Sequence, residues 1–222
     1  MLSTPSLMER RYGHVPSHHE WDRYYGDQPR AWRGNNELDL PFVAGERLLE
    51  AGCGNGKTLQ NLVSQDLELH AVDFSPVAVE ICRRRFEDSV DLRVADIRRL
   101  PYADSFFDGI IAIHLLSHLL QEDRGKASLE MLRVLKPGGW MMIRSFDRDD
   151  MRYGKGDEIE PHSFLRGNGI LYHYPTAEEI IQLFPGVTVC DVRRMQESKR
   201  FHGREERRSW VDLILRSPPI DD

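Results

Sequence analysis

The feature that most constrains this chain is the run from Arg47 to Leu59, RLLEAGCGNGKTL. An apolar stretch ends at an acid, Glu50. A loop with glycine at 52, 54 and 56 follows, and then a helical pattern begins. These residues dictate strand, tight turn and helix. Glycine lets the backbone bend sharply and lets a ligand approach closer than any Cβ would permit. The helix begins with free N–H groups, so this end of the strand suits a polar cofactor. Two phosphate-binding patterns match only in part. A dinucleotide fingerprint needs G-x-G-x-x-G, and the third glycine here comes one place early. A P-loop needs G-x-x-x-x-G-K-[ST]; Gly56-Lys57-Thr58 supplies its end, but Ala51 holds its first position.

The rest of the chain alternates between two periodicities. Glu46–Ala51, Leu67–Asp73, Val90–Ala95, Phe107–His114 and Trp140–Phe146 read as strands. Ile110-Ile111-Ala112-Ile113 suits a central parallel strand buried on both faces. Helices are predicted over Lys57–Ser64, from Ser75-Pro76 to Asp88, and over Glu122–Leu135 with Leu129, Leu132 and Leu135 facing inward. Thr176 to Glu179 is a capping box opening a further helix to Phe184. Val187–Val192 and Trp210–Leu215 add two strands, with a basic segment, residues 193–208, between them. The expected fold is α/β: a Rossmann-like doubly wound sheet, mainly parallel, of seven strands with an antiparallel last strand.

With 222 residues, 40% hydrophobic and 30% charged, the chain suits one domain with additions. Residues 1–45 form an N-terminal aromatic cap segment, with Trp21, Tyr24 and Tyr25 on one helical face and Trp32 beyond. Residues 46–222 form the main domain, in which the polar, glycine-rich stretch 147–174 is a lid-like substrate insertion. No apolar run approaches a membrane span, and Met1 to Arg11 lacks the apolar core of a secretory signal. Three cysteines without a C-x-x-C pair argue against a disulfide framework or structural zinc, so the expected compartment is cytoplasmic. No metal site is expected: His14, His18 and His19 lack regular ligand spacing, and Asp147, Asp149 and Asp150 read as a solvated turn. The net charge of −6 argues against a wholesale nucleic-acid binder.

Ligands of such sheets bind at the carboxyl ends of the strands, beside the point where strand order reverses. The first three strands end at carboxylates, Glu50, Asp73 and Asp96. These would repel a triphosphate and welcome hydroxyls, amines and a positive charge. Asp73 lies about 20 residues past the glycine loop, the spacing at which an acid accepts from ribose hydroxyls. The segments LLEAGCGNGKTL, AVDFSPVAVEIC, VADIRRLPYADSFFDGIIAIHLLSHL and LRVLKPGGWMMI together resemble the successive motifs of class I S-adenosylmethionine (SAM) methyltransferases. The resemblance covers residues 46–146. It implies SAM as cofactor and S-adenosylhomocysteine as product. It further implies that Gly52, Gly54 and Gly56, with Cys53 and Asn55 in the same loop, line the methionine part above Glu50. Asp73 would hold the ribose beside Phe74, Asp96 and Ile97 the adenine, and His114 would sit near the sulfonium. The glycine loop also resembles that of wobble-uridine tRNA methyltransferases.

The expected reaction is methyl transfer from SAM to an N, O or S nucleophile, in which the protein supplies proximity and in-line geometry. If a base is needed, His114, His118 and Tyr25 are the candidate catalytic residues, with Tyr24 and Asp147 behind them. A small-molecule acceptor is the first reading, since compact additions close over a pocket. A tRNA acceptor engaging the basic 193–208 segment is the alternative. A P-loop ATPase or kinase and a non-catalytic SAM-binding partner are the other classes weighed. The chain is read as a monomer or homodimer without membrane contact.

Overall fold

The computed structural model describes residues 18–27, 38–201 and 204–219. A helix, α1 (His18–Asp27), precedes five strand-led units: β1 (Arg47–Ala51), α2 (Leu59–Leu62), β2 (Glu68–Asp73), α3 (Pro76–Phe86), β3 (Asp91–Val94), β4 (Phe107–Ile113), α4 (Gln121–Val134) and β5 (Leu135–Phe146). Three short strands follow: β6 (Asp157–Glu160), β7 (Ser163–Leu165) and β8 (Leu171–His173). Then come α5 (Ala177–Gln182) and a long hairpin, β9 (Thr188–Phe201) and β10 (Arg204–Arg216). The main sheet has the order β3-β2-β1-β4-β5-β10-β9. Strands β1 to β5 are mutually parallel, and β10 runs antiparallel to both neighbours. Strand order reverses between β1 and β4, which opens a crevice at their carboxyl ends.

Each face of the sheet buries one apolar layer. Leu48, Ile111, Trp140 and Met142 pack under α2 and α3 with Leu59, Val79, Cys82 and Phe86. Leu49, Ile110, Met141, Ile143 and Leu213 pack under α4 and α5 with Met131, Val134, Ile180 and Phe184. Local signals act as their chemistry predicts. Ser75 caps α3 by accepting from Ala78 N at 3.1 Å, with Pro76 at the first helical position. Thr176 and Glu179 close a reciprocal capping box on α5.

Several expectations are corrected. Leu129 faces solvent, 58% exposed, because the buried stripe of α4 runs through Ala127, Ser128, Met131 and Val134 and Leu129 lies on the opposite side. The segment 147–174 contains a three-stranded antiparallel sheet, β6-β7-β8, whose strands of three or four residues are too short to show alternation in sequence. The basic segment 193–208 forms the two arms of the hairpin, where Glu197 pairs in register with Arg208 and Glu206 with Lys199. Asp147, Asp149 and Asp150 are not a solvated turn. Arg194 bonds both Asp147 and Asp149, while the nearly buried Asp150 takes Arg152 at 2.7 Å and Arg208 at 2.8 Å. Among the described residues, no helix is long and apolar enough to cross a membrane. Cys53, Cys82 and Cys190 are free thiols.

Candidate functional site

The glycine loop leaves β1 and turns against β2. Gly52 N and Cys53 N both donate to Val72 O, at 2.8 and 3.0 Å. Gly52 and Gly54 adopt left-handed backbone, φ 76° and 51°, which glycine enters without steric cost. Asp73 holds the loop in place: Oδ2 accepts from Gly54 N and Oδ1 from Ser75 N, each at 2.9 Å. Burial pushes its pKa up to about 6, against the pull of those two N–H groups. Beneath the loop, Glu50 is buried. Burial drives its pKa well above the ordinary range, Thr58 donates to it, and its Oε2 has no partner. Asn55 O accepts from Arg85 at 2.6 Å, which ties the loop to α3. Gly56 is the exception among the expected cofactor residues. It lies away from the cavity, and a Cβ there would sit 2.4 Å from the Phe86 ring, so this glycine serves helix packing.

Helix α1 forms a wall over the loop. Asp22 anchors it: Oδ1 accepts from the Ser75 hydroxyl at 2.5 Å, and Oδ2 meets His18 Nδ1 at 2.9 Å. The anchor brings Tyr25 so close above Gly54 that a Cβ there would lie 2.7 Å from the Tyr25 hydroxyl. Trp21 lies with its ring centroid 5.6 Å from those of both Tyr24 and Tyr25. Burial, then the charge of Asp73, drives the Tyr25 pKa well above 10. His18, His19 and Asp22 bring ligand-type atoms within 4.8 Å of one another, while His14 and Trp32 lie outside the described residues.

The facing wall follows β4. His114 stands at φ 59°, and its ring stacks on Phe146 at 3.9 Å and 13°. Its Nδ1 is shielded and unpartnered, and burial, with Arg144 next, pushes its pKa well below 6.5. His118 sits in a short 3-10 turn, Leu116–His118. Its Nδ1 donates to Leu171 O at 2.6 Å, which leaves the lone pair on Nε2. Burial lowers its pKa to about 4. Trp21 and Tyr172 meet the His118 ring edge-on at 4.7 and 4.9 Å. Arg152 lies over Phe146 at 4.3 Å, and Arg166 over Tyr172 at 4.2 Å.

At the far end, Ile97 is buried and Phe74 is 37% exposed. Asp96 is held by Arg98, whose Nε and Nη2 reach it at 2.9 and 2.6 Å. The space between these walls is a cavity of about 340 Å³ at the carboxyl ends of β1 and β4. Glu50, Gly52, Cys53, Gly54, Asn55, Asp73, Phe74, Asp96, Ile97, His114, His118 and Tyr25 all line it. So do Arg144, Arg152 and Tyr172, which the sequence reading did not single out. A charge at the end of the apolar run MMIRSF was the available signal for Arg144. The polar set fits the hydroxyls and amines of a nucleoside: an unpartnered buried carboxyl oxygen on Glu50 and the Asp73 carboxylate, both lining the cavity.

Residues 49–143 match the family described as a methyltransferase domain. Among curated relatives, the chain is 30% identical over 191 residues to the cattle tRNA N(3)-cytidine methyltransferase METTL2, covering 78% of this chain and 50% of that protein. It is 28% identical to the fission-yeast tRNA N(3)-methylcytidine methyltransferase trm140 over 190 residues, 74% of this chain and 62% of that one. The chain thus spans about half the length of the METTL2 relatives it matches. A Methanosarcina mazei SAM-dependent methyltransferase superposes with a TM-score of 0.70 at 21% identity, over 82% of this chain and 100% of that one. A Burkholderia thailandensis 1,6-didemethyltoxoflavin-N1-methyltransferase with bound S-adenosylhomocysteine gives 0.59 at 20% identity, over 79% and 72%.

Proposed function

We propose that this chain is a class I SAM-dependent methyltransferase and that it methylates a ring nitrogen of a tRNA base. The observation that carries this reading is one cavity with two unlike walls. A glycine-and-carboxylate wall suits the cofactor, and an aromatic wall of Trp21, Tyr25, His118, Phe146 and Tyr172 suits a flat ring extruded from a strand. The small-molecule acceptor favoured by the sequence alone gives way, because the curated relatives are named as tRNA methyltransferases. The net charge of −6 is not concentrated at the cavity, whose lining carries Lys57, Arg98, Arg144 and Arg152 beside Glu50, Asp73, Asp96 and Asp123.

SAM, when bound, supplies a methyl group already activated on a positive sulfur. The chain's own residues bind, orient and exclude water. Asp73 would accept from ribose hydroxyls, Ile97 would pack against the adenine, and the glycine loop would hold the methionine part beside Glu50. A ring nitrogen attacks with its own lone pair, so the site must leave that lone pair unprotonated. His114 and His118 are both held neutral at pH 7, and Tyr25 keeps its proton well above pH 10. In this reading they shape and dry the cavity, and His118 Nε2 is the acceptor available for an exocyclic amine. We place the protein in a reducing cytoplasm, where its three free cysteines stay thiols. The test is incubation with labelled SAM and an extract containing both tRNA and small metabolites. Label in a tRNA base after nuclease digestion is expected. Label only in small metabolites, or none despite SAM binding, overturns the reading.

A further inference from the structure

One residue of the P-loop-like sequence has no task in methyl transfer as described above. Gly56 packs against Phe86 and Thr58 donates to Glu50, but Lys57 lines the cavity without a hydrogen bond or ion pair among the described residues. Its surroundings are cationic. Burial, then Lys199 and Arg144, lowers its pKa. Each neighbouring cation already has a carboxylate. Arg144 takes Asp212 at 2.6 Å, Lys199 takes Glu197 at 2.7 Å, and Arg152 and Arg208 share Asp150. Among these five cations Lys57 alone has no carboxylate partner among the described residues, although Glu50, Asp73, Asp96 and Asp123 line other parts of the same cavity.

The hairpin extends this strip outward. Pairing between β5 and β10 ends at Phe146 and Trp210, whereas β9 and β10 stay paired through six further positions to Phe201 and Arg204. At about 3.3 Å per residue, this arm projects roughly 20 Å past the edge of β5. Lys199, Glu197, Glu206 and Arg208 share one face of it, the face that also carries Trp210 and Asp212. Acids and bases balance along that face, so the unpaired Lys57 at the cavity is the cation left for an incoming anion.

We infer that Lys57, with Arg144 and Arg152, seats one phosphodiester of the RNA strand whose base enters the cavity, with the hairpin arm as the rim along which the strand leaves. The inference rests on the tRNA reading. A phosphodiester oxygen supplies the counter-ion that Lys57 lacks, and its place beside the aromatic wall fixes the distance from backbone to base. The competing source of a negative oxygen is the carboxylate of the cofactor, and the experiment separates the two. Lys57→Gln and Lys57→Arg are made in the full chain, and tRNA affinity is measured across a salt series, with SAM affinity by calorimetry. In Lys57→Gln the slope of log affinity against log salt falls by about 0.7–0.9, equivalent to about a threefold smaller loss between 50 and 200 mM salt. SAM affinity is unchanged in both variants, which also reports an intact cavity, and Lys57→Arg restores the slope. An unchanged slope in Lys57→Gln, with wild type binding tRNA normally, overturns the phosphodiester seat alone. Loss of SAM affinity with the slope intact assigns Lys57 to the cofactor and overturns it too. Absence of salt-dependent tRNA binding in wild type removes the tRNA reading itself.

Discussion

Asp73 offers a quantitative test of how the cofactor is held. Both its oxygens accept backbone N–H groups at 2.9 Å, and burial lifts its pKa from 3.8 to about 6. Ribose hydroxyls donate to the ionised carboxylate, so binding is strongest when Asp73 is charged. One pH unit below the folded pKa, about one carboxyl in ten is ionised, and affinity for S-adenosylhomocysteine falls about tenfold, about 1.4 kcal/mol. The assay is calorimetry from about pH 7 to about pH 5. The contribution of Asp73 to folding has the opposite sign. Because its folded pKa is raised, that contribution is fully present below about pH 4 and is lost as pH rises through about 6, a change of about 3 kcal/mol. A difference in thermal stability between wild type and Asp73→Asn therefore widens as pH falls while cofactor affinity weakens. The Asn variant keeps one acceptor but turns an amide toward the second N–H, costing about 1–3 kcal/mol of stability. Its affinity should be weak and free of the bend near pH 6. A flat wild-type profile, or the same bend in Asp73→Asn, refutes the assignment.

Gly54→Val places a side chain at φ 51° and against the Tyr25 hydroxyl, so loss of SAM binding by calorimetry is expected together with about 1–3 kcal/mol of backbone strain. Trp21→Ala removes a ring from the aromatic wall without touching the glycine loop. It should raise KM for tRNA about tenfold or more, at about 1–3 kcal/mol per stacked base, with little change in SAM affinity. Asp150→Ala strands Arg152 and Arg208 and removes an acceptor for Ser209 N. A destabilisation of about 3–5 kcal/mol is expected from denaturant unfolding, and a loss below about 1 kcal/mol would show that the turn does not clamp the hairpin.

Everything that depends on a few neighbouring residues could be read from the chain alone. The strand–glycine–helix turn, the Ser75-Pro76 cap, the Thr176 capping box and the apolar run of β4 are encoded locally, within one turn or one strand. Asp73 was readable because its 19-residue separation from Gly54 is set by a single helix and strand between them. Lys57 could be seen in the sequence only as part of an incomplete phosphate-loop match. Its actual neighbours, Arg144, Lys199 and Arg208, come from strands far along the chain. Leu129 was misplaced by counting leucines rather than following the stripe that the sheet selects. Only the tertiary structure decided that Asp22 binds Ser75 across 53 residues and so brings Tyr25 over the loop. It alone showed that the acidic turn grips the hairpin's arginines and that His118 is fixed by Leu171 O. Periodicity reports which side of an element is apolar. It carries no information about which distant element meets that side, and this cavity is made of such meetings.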